Sequence, residues 1–335
     1  MLRIPFLLSA ALLLAVPAAA EEAKGLPVGA CINMGNSLET MVESQDGKRI
    51  DAADFARIRA AGFTTVRIPV RWMHRSRETA PHTIDPAFLD RVEAVVDQAL
   101  AADLNVILNS HHFDALDKDP AATAPWLAAV WKQVAARFAA RPEARLWFEI
   151  SNEPHDKLTN ANLLATLAPA LAAIRATNPT RAVVIGGENW SGIDSLATLD
   201  LPDDPNVYPT FHYYEPFDFT HQGATWVDPS PPLGRLYGTQ ADADRLAADV
   251  EKIRRYIART GRKPFIGETG AYEAIPLAGR VQYHRAVHDA FAPLDLGICA
   301  WAYTNTFPFW DRKTEQWLPG LRAAFGLPEN EGESE

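Results

Sequence analysis

Short apolar runs alternate with longer segments of helical period along most of the chain. The short runs are Val28–Met34, Thr65–Pro69, Asn105–Asn109, Leu146–Ser151, Ala182–Ile185, Val207–His212, Phe265–Gly267 and Gly297–Trp301. Their Val and Ile content is that of parallel strands buried on both faces. Between them, apolar residues fall on single helical faces. Asp85 and Pro86 make a helix start, and Phe88, Leu89, Val92, Val96 and Leu100 share one stripe behind it. Trp126, Val130, Val134 and Phe138 form a second stripe, and Leu246, Val250, Ile253 and Ile257 a third. Gly62 and Gly261 sit just past helical segments, where a left-handed cap is wanted. A last helix is expected over Leu318–Phe325. Eightfold alternation predicts the α/β class and a single closed (β/α)8, or TIM, barrel, because each parallel crossover needs a helix and closure removes the sheet edges. The competing open sheet would carry a glycine-rich phosphate loop after its first strand, and Gly29 and Gly35 do not make that pattern.

The ends of the chain read differently. Residues 1–20 combine Arg3, an apolar run from Ile4 to Val16 and the small residues Ala18, Ala19 and Ala20. This is the layout of a cleaved secretory signal peptide, and the run is too short for a membrane span. The expectation is a secreted or periplasmic protein with no membrane segment in its mature form. The barrel is expected over 21–328, a surface loop at its mouth over 218–240, and an acidic disordered tail over 329–335. The net charge of −10 argues against nucleic acid as a partner, since a phosphate backbone calls for a basic surface. A monomer without cofactors is expected.

Chemistry in such a barrel sits where the strands end. The ends here are polar: Arg67, then Asn109, His111 and His112, then Asn152 and Glu153, then Glu188 and Trp190, then His212 and Tyr214, then Glu268, then Trp301. Glu153 and Glu268 would face each other across one mouth. Two carboxylic residues in different environments suit glycoside hydrolysis, one giving a proton to the leaving oxygen and the other attacking the anomeric carbon. Arg67 and Tyr214 could hold Glu268 as an anion, whereas Glu153 should have a raised pKa. The bland alternative is an Arg67–Glu268 ion pair that merely builds the barrel.

The chain resembles glycoside hydrolase family 5, the cellulase family, along nearly its whole mature length. The resemblance lies in Gly29–Glu39, Val66–Trp72, Leu108–His112, Phe148–His155, Phe211–Tyr214, Phe219–Ala224, Ile266–Gly270 and Ala300–Tyr303. It implies a retaining endo-β-1,4-glucanase acting on β-glucan polysaccharide or oligosaccharide. Glu153 would be the acid/base and Glu268 the nucleophile, with Arg67 and Tyr214 flanking it. His212 would set the protonation of Glu153, and Asn152 would contact a sugar hydroxyl. Asn36, Glu39, His111, His112, His221, Trp226 and Trp301 would bind substrate, and the Trp301–Ala302 peptide would be cis. Mannanase, lichenase, xyloglucanase and exo-glucosidase activities share this scaffold, and a silent carbohydrate-binding barrel is a further alternative. Ala302 cannot read a neighbouring sugar by hydrogen bonding, which leaves the choice between glucan and mannan open. With no binding module legible, soluble or amorphous glucan is expected to be a better substrate than crystalline cellulose.

Other residues have plainer readings. Glu149 shares strand parity with Glu153 but lies deeper, as a barrel-interior partner for an arginine. Glu188 is open between substrate contact and loop support. Trp126, Trp131 and Phe138 are expected in the core, and Trp72 and Trp190 either there or on sugar. Adjacent His111 and His112 would point to opposite faces of a strand, so no metal site is expected. Cys31 and Cys299 lie on the first and last strands, which meet only if the barrel closes. They are expected as two buried free thiols, a bridge being the alternative for an exported protein, with their Cα separation deciding.

Overall fold

The computed structural model describes residues 23–43 and 49–329. The leader at 1–20 and the tail beyond Glu329 lie outside the described residues. Eight parallel strands close into a barrel: β1 (Ala30–Asn33), β2 (Thr65–Val70), β3 (Asn105–Ser110), β4 (Leu146–Glu149), β5 (Val183–Gly186), β6 (Val207–Tyr213), β7 (Phe265–Thr269) and β8 (Ile298–Ala300). The β8–β1 pairing sets Cys299 against Cys31 and completes the ring.

Strand alternation sorts the side chains into two apolar cores. Outward-facing residues such as Val66, Ile68, Val106, Leu108 and Phe148 pack beneath the helices. Inward-facing Cys31, Ile107, Trp147, Val184, Tyr208, Phe265 and Cys299 plug the lower barrel. Above this plug the inward positions turn polar, which is where the site begins.

The helices include α1 (Ala52–Ala60), α2 (Pro86–Ala101), α3 (Pro120–Arg137), α4 (Asn160–Arg175), α5 (Gln240–Thr260), α6 (Leu277–Phe291) and the short α7 (Leu321–Ala324), with further single turns over Asp114–Lys118 and Phe217–Thr220. Asp85 caps α2 with Pro86 in its first turn, and Gly261 ends α5 at φ 66°. Trp131 and Phe138 are fully buried. Trp126 is only partly buried and donates its indole N–H to Ser76 Oγ at 2.8 Å, so it is not a core residue in full.

Two helical expectations are corrected. The last helix is one turn, not eight residues, because Leu318 N–H bonds Phe309 C=O and Gly320 enters the helix at φ 77°. After β5 no full helix forms. Gly186 and Gly187 lead into three consecutive left-handed residues, Asn189, Trp190 and Ser191, and then a 3-10 turn over Ile193–Ala197. Three non-glycine residues at positive φ cannot start a right-handed helix. No helix among the described residues is long and apolar enough to cross a membrane.

The cysteines are also corrected. They form a disulfide, with Cα atoms 4.1 Å apart. Both point into the barrel from directly paired positions, well inside the separation of about 7 Å beyond which no bridge forms.

Candidate active site

The polar layer is organised by Arg67, which has no solvent exposure. Its Nε and Nη2 donate to Glu149 at 2.6 and 2.8 Å, Nη1 to Asn33 Oδ1 at 2.9 Å and to Glu268 Oε1 at 2.7 Å, and Nη2 also to Asn152 Oδ1. These bonds use all five guanidinium N–H groups, so the buried charge is fully satisfied. Burial lowers its pKa, but Glu149 and Glu268 outweigh burial and the net shift is upward. Glu149 is thus the interior arginine partner anticipated from strand parity.

Glu268 ends β7 and is 4% exposed. Its second oxygen accepts from Tyr214 O–H at 3.0 Å. Glu153 follows β4 and accepts from His212 Nδ1 at 2.7 Å, while the same nitrogen lies 3.6 Å from Glu268. One atom each of Glu153, His212 and Glu268 lie within 4.8 Å of one another. That spacing resembles a metal cluster, but Arg67 on Glu268 and His212 on Glu153 already supply the cationic partners.

The electrostatics reverse one expectation. Burial raises Glu153, yet the hydrogen bond and charge of His212, then His112 and Arg67, outweigh it, and its pKa is lowered. Burial also raises Glu268, and His212 and Arg67 do not fully cancel that rise. His212 is lowered by burial but raised more by Glu268 and Glu153. His212 thus pulls the Glu153 carboxyl down through a 2.7 Å hydrogen bond, and the two carboxylates hold the imidazole up. The expected rise of Glu153 counted the repulsion between the carboxylates; the His212 contact, expected to set its protonation, is what turns the shift downward.

Around the pair lie the other expected residues. Trp301 is partly buried, its peptide bond to Ala302 is cis, and His111 stacks on it at 5.5 Å with 4° between planes. His111 and His112 do not face opposite sides of a strand. They lie past the end of β3, His112 at φ 51° is exposed, and the two rings meet edge-to-face at 4.2 Å. His221, 8% exposed, stacks on Phe217 at 4.1 Å, and burial pushes its pKa down to about 4. Trp226 is 52% exposed and stands edge-on to Tyr272 at 4.9 Å. Asn36 donates to Thr306 Oγ1 at 3.1 Å. Glu39 is 4% exposed, and its two oxygens accept the backbone N–H groups of Asn36 and Ser37. Its carboxylate is thus turned onto its own loop. Glu188 exchanges bonds with Asn160, accepting that residue's N–H at 2.9 Å, and so supports its loop. Trp72 is buried, whereas Trp190 is 55% exposed and stacks on His155 at 5.0 Å.

Three neighbours were not anticipated. His155 Nδ1 lies 2.6 Å from the Glu153 carbonyl oxygen. Its place two residues after Glu153 could have signalled it. Phe307 touches the rings of Tyr214, His221, Trp226 and Tyr272, and Thr306 meets Asn36. Nothing in the pattern of the last loop marks either.

A closed parallel barrel that gathers two carboxylates, a saturated arginine and exposed tryptophans at its strand ends has the build of a barrel glycoside hydrolase. The model for cellulase (glycosyl hydrolase family 5) matches residues 27–306. The chain belongs to glycosyl hydrolase family 5. It is 36% identical over 275 residues to endoglucanase H of Acetivibrio thermocellus, covering 82% of this chain and 29% of that protein. It spans less than two-fifths of that relative's length and, at 37%, of the cellulase/esterase CelE of the same organism. Among solved structures, a hyperthermophilic endo-β-1,4-glucanase in complex with substrate superposes with a TM-score of 0.86 at 39% identity, covering 90% of this chain and 97% of that one. Thermotoga maritima Cel5A in complex with mannotriose superposes with a TM-score of 0.86 at 35% identity, covering 89% and 97%.

Proposed function

We propose that the chain is an exported, retaining endo-β-1,4-glucanase. The observation that carries this reading is the pairing of Glu153 and Glu268 within one mouth, each with a different set of partners. An oxygen of Glu153 and one of Glu268 within 4.8 Å of each other support the close spacing of a double displacement.

In the first step Glu268 attacks the anomeric carbon while Glu153 protonates the departing glycosidic oxygen. His212, 2.7 Å from Glu153, is the neighbour that sets its protonation. Arg67 and Tyr214 hold Glu268 with one oxygen each and orient it for attack. Esterification removes the Glu268 charge, so Glu153, now unprotonated, can take a proton from water. The water oxygen attacks the anomeric carbon, the ester bond breaks, and Glu268 returns as a carboxylate. Trp301 offers a face to the sugars on the non-reducing side, with His111 behind it. His221 and Trp226 line the other side, and Asn152 lies where a sugar hydroxyl beside the reacting carbon would sit. Export is supported by the leader-like residues 1–20 and by the Cys31–Cys299 bridge, since disulfides persist in oxidising compartments.

Glu153→Ala and Glu268→Ala should each lose most turnover on carboxymethyl cellulose with the fold retained. Azide should rescue Glu268→Ala with formation of an inverted glycosyl azide. Wild-type-like rates in either variant would reject the assignment. β-Mannan is the second reading, favoured by the mannotriose complex of a similar solved structure, and Ala302 does not decide against it. A panel of carboxymethyl cellulose, mixed-linkage glucan, glucomannan, mannan and xyloglucan separates the two.

A further inference from the structure

Two loops meet beside Trp301. The first runs from Met34 to Glu39 after β1, and the second from Ala302 to Phe307 after β8. Gly35 lies against the indole, where an added Cβ would stand 2.9 Å from Trp301 Cζ2, so only glycine lets the loop come this close. The next residue, Asn36, reaches across and donates to Thr306 Oγ1 at 3.1 Å.

Both ends of that bond are held in unusual backbone. Asn36 has φ 60°, and Asn305 and Thr306 follow one another at 61° and 52°. A left-handed β-branched residue is an outlier and persists only where its surroundings over-determine it. They do so here. Thr306 C=O accepts from Glu273 N–H at 2.8 Å, and Phe307 C=O accepts from Ala302 N–H at 2.9 Å. On the facing loop, Glu39 holds the backbone N–H of Asn36.

From this we infer that Thr306 is a positioning residue for the non-reducing half of the cleft. Acting through Asn36, its hydroxyl clasps the first loop to the last and fixes the Trp301 face against which the sugars bind. The proposal rests on the glucanase reading of the site and adds to it a residue that touches no reacting atom.

The clasp should matter for binding and little for chemistry. Thr306→Gly removes the hydroxyl and also the strain. Its KM for cellopentaose should rise about three- to tenfold, the usual effect of one lost hydrogen bond. Its kcat should stay within twofold and its Tm should be unchanged or higher. Thr306→Ser keeps the hydroxyl and should restore the wild-type KM. Asn36→Ala combined with Thr306→Gly should raise KM no further than the larger single effect. An unchanged KM in Thr306→Gly, failure of serine to restore it, or multiplying effects in the double variant would overturn the clasp. A wild-type chain inactive on every β-glucan and β-mannan would instead overturn the glucanase reading, so the two failures are distinct.

Discussion

Arg67 and Glu39 show two ways of burying a charge. Arg67 is surrounded by acceptors for every N–H and keeps its charge. Glu39 has backbone N–H groups, those of Ser37, Asn36 and Glu39 itself, but no cation, and Glu268 adds repulsion. Burial therefore wins, and the pKa of Glu39 rises from an ordinary 4.5 to about 7. A carboxyl raised on folding binds its proton more tightly in the folded chain. Below pH 4.5 both states are protonated and no stability is lost. As pH climbs from 4.5 to 7 the unfolded chain ionises first and folding weakens, by roughly 3 kcal/mol once the folded group has also ionised. Glu39→Gln cannot ionise and lacks this term. Relative to wild type, its stability should thus improve by a few kcal/mol between pH 4 and pH 8, as measured by urea denaturation at both. A difference between the two proteins that is flat with pH would show that Glu39 ionises normally. The same carboxylate shows what sequence-based reasoning misses at this scale. The motif placed Glu39 at the mouth, but which way it turned depended on the backbone of Asn36 and Ser37. Likewise Glu153 and His212 were both anticipated, and the 2.7 Å contact between them is what draws the Glu153 pKa down against burial.

Among the elements, the strands were legible because burial on both faces leaves short apolar runs set between longer segments of helical period. Each run from Val28–Met34 to Gly297–Trp301 became a barrel strand. The segment after β5 was not legible, because its left-handed turn at Asn189–Ser191 depends on contacts outside the local sequence. Trp190 N–H bonds Pro154 C=O, and Ser191 Oγ donates to Asn152 C=O at 2.9 Å. The long segment before α5 is pinned at its far end by Asp242. One oxygen of Asp242 accepts the N–H groups of Gly238 and Thr239 at 3.0 and 2.9 Å, and the other accepts from Arg235 at 2.7 Å. Thr239 and Asp242 together form a capping box on α5. Asp242→Ala should cost about 1–2 kcal/mol of stability in denaturant unfolding, as loss of a helix cap does. The same change should loosen the segment that carries Trp226, so affinity for long oligosaccharides should fall more than kcat. A stable variant with unchanged KM would mean that the segment is held by Gln222 instead, which bonds Gly234 and Arg235.

At the scale of the whole molecule, closure is the event that makes the site, since Arg67 on β2 reaches Glu268 on β7 only across a complete ring. The first and last strands are also the pair most distant along the chain, and the bridge joins residues 268 apart in sequence. A loop of that size is costly to close, so cross-linking its ends removes much entropy from the unfolded chain. The chain-entropy relation gives a ceiling of roughly 5.5 kcal/mol for such a loop, and measured disulfides usually deliver about 2–4. Burial of both cysteines at 0% exposure also means that reductant can reach the bridge only after the barrel opens. Folded protein should therefore resist reductant, whereas reductant present during denaturant unfolding should lower the midpoint by the equivalent of about 2–4 kcal/mol. The Cys31→Ala/Cys299→Ala variant should lose at least as much, because it also empties space inside the plug. Thiol titration in denaturant without reductant should find no free thiol. Two thiols per chain, together with a midpoint indifferent to reductant, would show that the barrel closes by packing and hydrogen bonds alone.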